Sequence, residues 1–451
     1  MRGDFFSTVG EILKYGGSTF AALVATCLYT TTDGFFIGNW VGTDGLGAMA
    51  LVFPVMMFFA AIGTLFETGG SAVVAKEFGK GNRPLAEKIM RTNYICAVVI
   101  GIIVAVVGNF IIEPLLYMLA SEPEEYKIAD MAISFLRISF CGVPFLLMIY
   151  LTSAFMRCIG HPTHVFYFVG SAMILNVVLD ALFIIVFDWG IAGAALATVS
   201  SQIFSAAMSF WYFRYSPQRF SSALSFGGFE YIVMEFKVGA GFAMAAVMMC
   251  GIEYFLNATL LRYNAPDLLA VAAVSNVVLT IIFLPLNGLD TGIQPLVSKL
   301  FAAKQTNHCL RVMRYSFFLT IVLTLIMYAA LMLFSEEVVR FFVTNDEPIT
   351  PEMVLYLRLT FLFQPFVGLY TWCSGIMAAL EDEWRNVVIS LSPLFVQVPL
   401  IWLLPKFLPI EYVMLSYSIQ DLAEATIAFA LLIPFLRSKG LSLKKIFNQG
   451  R

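Results

Sequence analysis

Charge is what this sequence has least of: Asp, Glu, Lys and Arg make up only 13% of its 451 residues, against 60% apolar residues and a mean hydropathy of +0.84. A water-soluble domain of this length needs far more polar surface, so composition alone excludes one. Histidine is scarce as well, with only His161, His164 and His308, none of them at a metal-ligand spacing. Seven cysteines stand singly in apolar stretches with no CxxC pair, which excludes a disulfide framework and leaves them as small buried apolar side chains. There is no GxxxxGK[ST] loop, so ATP-driven work within this chain is not expected, and nothing points to an enzyme, a cofactor, a nucleic acid or a partner protein. A cleavable leader is not expected either, because the first apolar run is long enough to span a bilayer and ends in Thr30-Thr31-Thr32-Asp33.

What the sequence does have is apolar runs longer than the roughly 18 residues that cross a bilayer, recurring along its whole length. They predict an all-α polytopic membrane protein with about twelve transmembrane helices, near 15–40, 46–74, 92–112, 131–154, 163–187, 191–213, 238–261, 268–298, 315–339, 353–378, 386–405 and 411–436. Alternate inter-helix segments, counted from the amino terminus, hold 21 of the 27 Lys and Arg; the intervening loops hold 4, and Arg137 and Arg358 fall inside helices. The positive-inside rule then puts both termini on the cytoplasmic face of the cell membrane.

The two halves repeat. An offset of 223 residues carries Glu67-Thr68-Gly69 onto Asp290-Thr291-Gly292, Leu46-Gly47-Ala48 onto Leu269-Ala270-Val271, Lys76 onto Lys299 and Arg91 onto Arg314. Further on, an offset of 221 carries Phe135-Leu136-Arg137 onto Tyr356-Leu357-Arg358 and Pro144 onto Pro365, as small loop insertions would produce. The reading is two six-helix lobes, 1–214 and 238–451, joined by a cytoplasmic linker over 215–237. Six is an even number, so both lobes enter the bilayer with the same polarity and the pseudo-twofold axis runs along its normal, with the pathway expected in the cleft between them.

An acid inside hydrocarbon costs a few kcal/mol, so each one there is a functional candidate. Asp33 in helix one, Asn176 and Asp180 one turn apart in helix five, and Thr198 in helix six come at comparable depth in the outer leaflet. Two carboxylates, an amide and a hydroxyl form a hard-oxygen set that suits Na⁺, while the paired carboxylates could equally hold a proton. The alternative is that these groups only bridge helices or bond their own backbone. Glu253 in helix seven, Glu67 and Asp290 related by the repeat, and Glu424 in helix twelve extend the acidic interior, which favours cationic cargo. Glu67 and Asp290 could instead reach toward Lys76 and Lys299, and Glu253 could pair with Arg157.

Three stretches, Thr32-Asp33-Gly34-Phe35-Phe36-Ile37-Gly38-Asn39, Ile174-Leu175-Asn176-Val177-Val178-Leu179-Asp180 and Gly190-Ile191-Ala192-Gly193-Ala194-Ala195-Leu196-Ala197-Thr198, resemble the multidrug and toxic compound extrusion family, closest to its prokaryotic branches. The resemblance covers nearly the whole chain. It implies a V-shaped bundle of two six-helix lobes around a central cleft, a secondary transporter exporting amphipathic organic cations in exchange for H⁺ or Na⁺. It also implies that Asp33, Asn176, Asp180 and Thr198 form the cation-coupling site, metal-binding if the ion is Na⁺, while the charge pattern, apart from the resemblance, makes Glu253, Glu67, Asp290 and Glu424 the candidates to face the substrate. Helix ten departs from the branches that place an acid early in it, reading Phe363-Gln364-Pro365-Phe366. The competing reading is a lipid-linked saccharide flippase of the same broad superfamily, whose anionic cargo would demand a basic cavity.

Overall fold

The computed structural model describes residues 2–118, 123–215, 229–263, 266–342, 351–382 and 384–447, and is all-helical over them. Eleven segments among the described residues are long and apolar enough to cross a membrane. They lie in α1 (Arg2–Phe36), α2 (Thr43–Gly79), α3 (Arg83–Tyr117), α4 (Pro123–Cys158), α5 (Thr163–Asp180), α6 (Gly190–Tyr215), α7 (Phe229–Arg262), α9 (Thr306–Leu333), α11 with α12 (Pro351–Thr360 and Val367–Ala379), α13 (Arg385–Phe407) and α14 (Leu415–Ser438). Between α7 and α9 runs α8 (Pro266–Ala302), which has no charged residue from Leu268 to Leu289 and completes the expected series. Two short helices, α10 (Ser335–Phe342) and α15 (Leu443–Phe447), lie outside it. Only helices satisfy every backbone group within one segment, which is why apolar runs without water to bond to adopt this form.

The chain divides into two compact units, one of residues 18–239 and one of residues 1–17 with 240–451. Most of the linker expected over 215–237 lies outside the described residues, but its last part does not: α7 begins at Phe229, well before the apolar run that announces it.

In the unit of residues 18–239, α4 is central and packs on α2, α3 and α6. Its buried Leu136, Phe140, Val143, Leu147, Leu151 and Phe155 recur at helical spacing and form one stripe. Lipid tails are as apolar as leucine, so burial alone does not bring such helices together; close dispersion contact does. Glycines supply the closeness, Gly63 of α2 taking the ring of Tyr150 and Gly101 of α3 lying so near α4 that a Cβ there would stand 2.6 Å from Pro144 Cα. At the end of α4, Gly160 takes φ +91° and lets His161 N–H reach back to Met156 O at 2.8 Å, which closes the helix.

In the other unit α8, α9, α12 and α14 pack around Trp372, Ile376, Val312 and Leu432. Here the tenth expected span is broken. Pro365 has no N–H and its ring clashes with a continued helix, so α11 stops at Thr360 and a 3₁₀ turn, Gln364–Phe366, leads into α12. Ser418 of α14 covers the freed carbonyls, donating to Leu359 O at 2.6 Å and Thr360 O at 2.9 Å. Its repeat partner Pro144 sits inside an unbroken α4.

Candidate functional site

Two helices of the 18–239 unit change their winding just beyond an acid. After Phe36, α1 widens into a π stretch over Ile37–Val41, and after Asp180, α5 does the same over Ala181–Val186. The two stretches pack on each other and on α6. This brings Asp33, four residues before the first, Asp180, at the edge of the second, and Thr198 of α6 to one place. Asn176, one turn before Asp180, joins them. Asp180 and Asn176 are wholly buried, and Asp33 and Thr198 are 4% and 6% exposed.

The contacts are direct. Thr198 Oγ1 donates to Asp33 Oδ2 at 3.2 Å. The Asn176 amide satisfies both carboxyl groups with its nitrogen toward them, Nδ2 then lying 3.1 Å from Asp33 Oδ1 and 3.3 Å from Asp180 Oδ2. The Asp33 and Asp180 side chains are themselves within hydrogen-bonding reach, and Asp180 Oδ1 is buried with no partner. Two carboxyl groups this close in an apolar interior need positive charge, as a proton between them or a cation beside them. The amide can serve either ion: nitrogen inward, it bridges the carboxyl groups; turned over, its oxygen would join theirs around a cation. Among the described residues no three His, Cys, Asp or Glu converge as a transition-metal site.

The other acids singled out in the sequence lie elsewhere. Glu67 of α2 is ion-paired with the almost wholly buried Arg157 of α4 at 2.5 Å. Glu253 of α7 accepts a hydrogen bond from the Tyr417 hydroxyl of α14 at 3.1 Å. Asp290 of α8 accepts from Gln294 Nε2 at 3.1 Å, and its other oxygen, Oδ1, packs where a Cβ of Gly375 would be and has no hydrogen-bond partner. Glu424 accepts from Gln420 Nε2 at 3.4 Å. Asp290, Asp421 and Glu424 each lie within electrostatic range of Tyr370 on α12. Sequence reasoning passed over Tyr370 and gave Asp421 no role, since a tyrosine in an apolar run looks like packing. It also passed over a buried carboxyl group at Glu235, which it had placed in the linker.

A family model described as MatE matches residues 19–182 and 241–403, two matches whose starts are separated by about the same interval as the sequence repeat. The multidrug export protein MepA of Staphylococcus aureus (strain bovine RF122 / ET3-1) is 21% identical over 414 residues, which is 91% of this chain and 90% of that protein. The probable multidrug resistance protein YoeA of Bacillus subtilis is 20% identical over 386 residues, 83% of this chain and 82% of that one. Among solved structures, a MOP superfamily transporter from Pyrococcus furiosus superposes with a TM-score of 0.88 over 96% of both chains at 18% identity, a likeness of fold. With the family model covering both halves, the chain belongs to the MatE family, the multidrug and toxic compound extrusion transporters of the membrane.

Proposed function

We propose that this protein exports small amphipathic organic cations across the cytoplasmic membrane in antiport with H⁺ or Na⁺, both termini facing the cytoplasm, and that Asp33, Asn176, Asp180 and Thr198 handle the coupling ion. The observation that carries this reading is the pair of buried acids drawn together from α1 and α5, with Asp180 Oδ1 left without a partner. An ionised acid at membrane depth costs a few kcal/mol, so the pair is kept only with an ion to neutralise it. Direct reach between the two carboxyl groups favours the proton, and the hard-oxygen set leaves Na⁺ as the second candidate. In this reading 1–214 and 238–451 act as the two lobes on either side of the linker over 215–237. Glu253, Asp290 and Glu424 supply negative charge to the cargo, while Glu67, assigned to the same task from sequence, is neutralised by Arg157 and holds α2 to α4.

The flippase alternative fares worse. An anionic diphosphate needs free interior guanidinium groups. Arg157 is paired with Glu67, Arg137 with Glu113, and Arg358 Nε donates to Ser335 Oγ at 2.8 Å. The deciding experiment follows a cationic dye in proteoliposomes under an imposed pH gradient and, separately, an imposed Na⁺ gradient. Uptake that follows one of the two is expected; dye movement indifferent to both would overturn the antiport reading.

A further inference from the structure

The first turns of α7 pack inside the 18–239 unit and carry an acid for which the coupling site has no use. Glu235 is wholly buried, and so is Asn93 of α3, which faces it. Asn93 Nδ2 donates to Glu235 Oε1 at 2.9 Å. The remaining oxygen of each group, Glu235 Oε2 and Asn93 Oδ1, is buried with no hydrogen-bond partner. Two acceptors facing an interior without a donor are costly, and an ionic charge on one of them more so.

One proton resolves the arrangement. A carboxylic acid and a carboxamide can meet through two parallel hydrogen bonds, N–H to one carboxyl oxygen and O–H to the amide oxygen. The first of these bonds is in place. A proton on Glu235 Oε2, donated to Asn93 Oδ1, makes the second and removes the charge. Toward the pair α2 presents its backbone at Gly69, where a Cβ would meet the Glu235 carbonyl, and α3 presents the Cys96 thiol. On α7 itself, Lys237 is exposed.

The repeat shows that packing does not require this acid. The 223-residue offset carries Gly16 onto Gly239 and Gly69 onto Gly292, and both pairs make the same close helix approach, Gly239 against Leu65 and Gly292 against Gly16. At the positions of Glu235 and Asn93 the other half has Ile12 and Ser316, both wholly buried. Ile12 lies in an apolar core with Val312 and Met313, and Ser316 Oγ donates to Met313 O at 3.0 Å. The fold thus accepts an apolar contact in this place in one half and holds a buried acid–amide pair in the other. Glu235 lies four residues before the point, between Gly239 and Ala240, where α7 passes from one unit into the next.

We propose that Glu235 and Asn93 form a proton-binding site of the transport cycle, separate from the cluster of Asp33 and Asp180. Its place in the cycle rests on the antiport reading; the binding of the proton does not.

The test uses the purified full-length protein. Infrared spectra of the wild type should contain the carbonyl band of a protonated carboxylic acid that is missing from Glu235→Gln and moves in Asn93→Leu, where the hydrogen bond to it is gone. Identical spectra for wild type and Glu235→Gln would mean an ionised Glu235 and overturn the site. In proteoliposomes Glu235→Gln, whose amide can form the same two bonds and mimics the loaded state, should bind dye and exchange it for dye while losing transport driven by a pH gradient. Transport in that variant with an unchanged response to the gradient would overturn the role in the cycle. A wild type that moves no dye would count against the export reading alone, because the infrared band reports the proton regardless.

Discussion

Replacing Glu67 by Gln tests whether the Glu67–Arg157 pair holds the first unit together. The Arg157 side chain is 1% exposed and that of Glu67 is 15% exposed, and their closest atoms are 2.5 Å apart. In addition, Arg157 Nε and Nη1 have no hydrogen-bond partner, so Glu67 carries almost all of the compensation for this guanidinium. Removing one partner of a buried pair costs about 3–5 kcal/mol, and the slight exposure of Glu67 puts the expected loss near the lower end, about 3 kcal/mol. In a thermal melt of the purified protein that is a fall on the order of 5 °C. The repeat supplies a control. Asp290 is the counterpart of Glu67, but the position 221 residues beyond Arg157 is Ala378, so Asp290→Asn strands no guanidinium and should shift the melt by less than about 1 kcal/mol. Adding Arg157→Met to Glu67→Gln should restore most of the lost stability, since it removes the stranded charge. A Glu67→Gln protein that melts with the wild type, or a double variant no better than the single one, would refute the reasoning.

Asp33→Asn and Asp180→Asn should each abolish gradient-driven efflux while leaving the protein inserted and folded; full gradient-dependent efflux in either would remove that residue from the ion site. Single cysteines at Asn82 and Gln305, exposed residues at the repeat-related turns after α2 and α8, should react with an impermeant thiol reagent only after cells are lysed, and labelling of intact cells would invert the topology. Glu253→Gln should weaken binding of a cationic dye about ten- to a hundredfold more than that of a neutral analogue, as expected for one carboxylate in low-dielectric surroundings; equal losses would remove Glu253 from cargo recognition. Gly69→Ala should destabilise the first unit by at least about 1–3 kcal/mol, because its Cβ meets the rigid backbone at Glu235, and a melt unchanged from the wild type would show that α7 gives way there.

The repeat was legible in the sequence because it is written in side chains with no freedom to vary locally: glycines where helices touch and basic residues where they leave the membrane. The gathering of Asp33, Asn176, Asp180 and Thr198 was legible through their shared depth, which apolar runs fix to within a turn. Partners across helices were not. Glu67 and Arg157 are 90 residues apart, and depth alone allowed Lys76 as readily. Glu235 went unnoticed for a different reason: with Glu230 and Lys237 nearby, hydropathy puts the helix start at 238, yet the close approach at Gly69 and Gly239 buries an acid in those charged first turns. The break at Pro365 could be placed from the proline, but not the repair by Ser418, which is 53 positions further along.

The π winding beyond Asp33 and Asp180 has a mechanical consequence. A π turn accommodates one more residue than an α turn, and an α-helix rotates by about 100° per residue. Rewinding Ile37–Val41 or Ala181–Val186 as α-helix would therefore swivel the outer part of α1 or α5 by about that angle against its acid, with no hydrogen-bonded turn melted and no proline needed as a joint. Because the two stretches lie against each other, such a swivel in one would press on the other, and in the antiport reading an ion held between the two carboxyl groups would sit at the fulcrum of both levers.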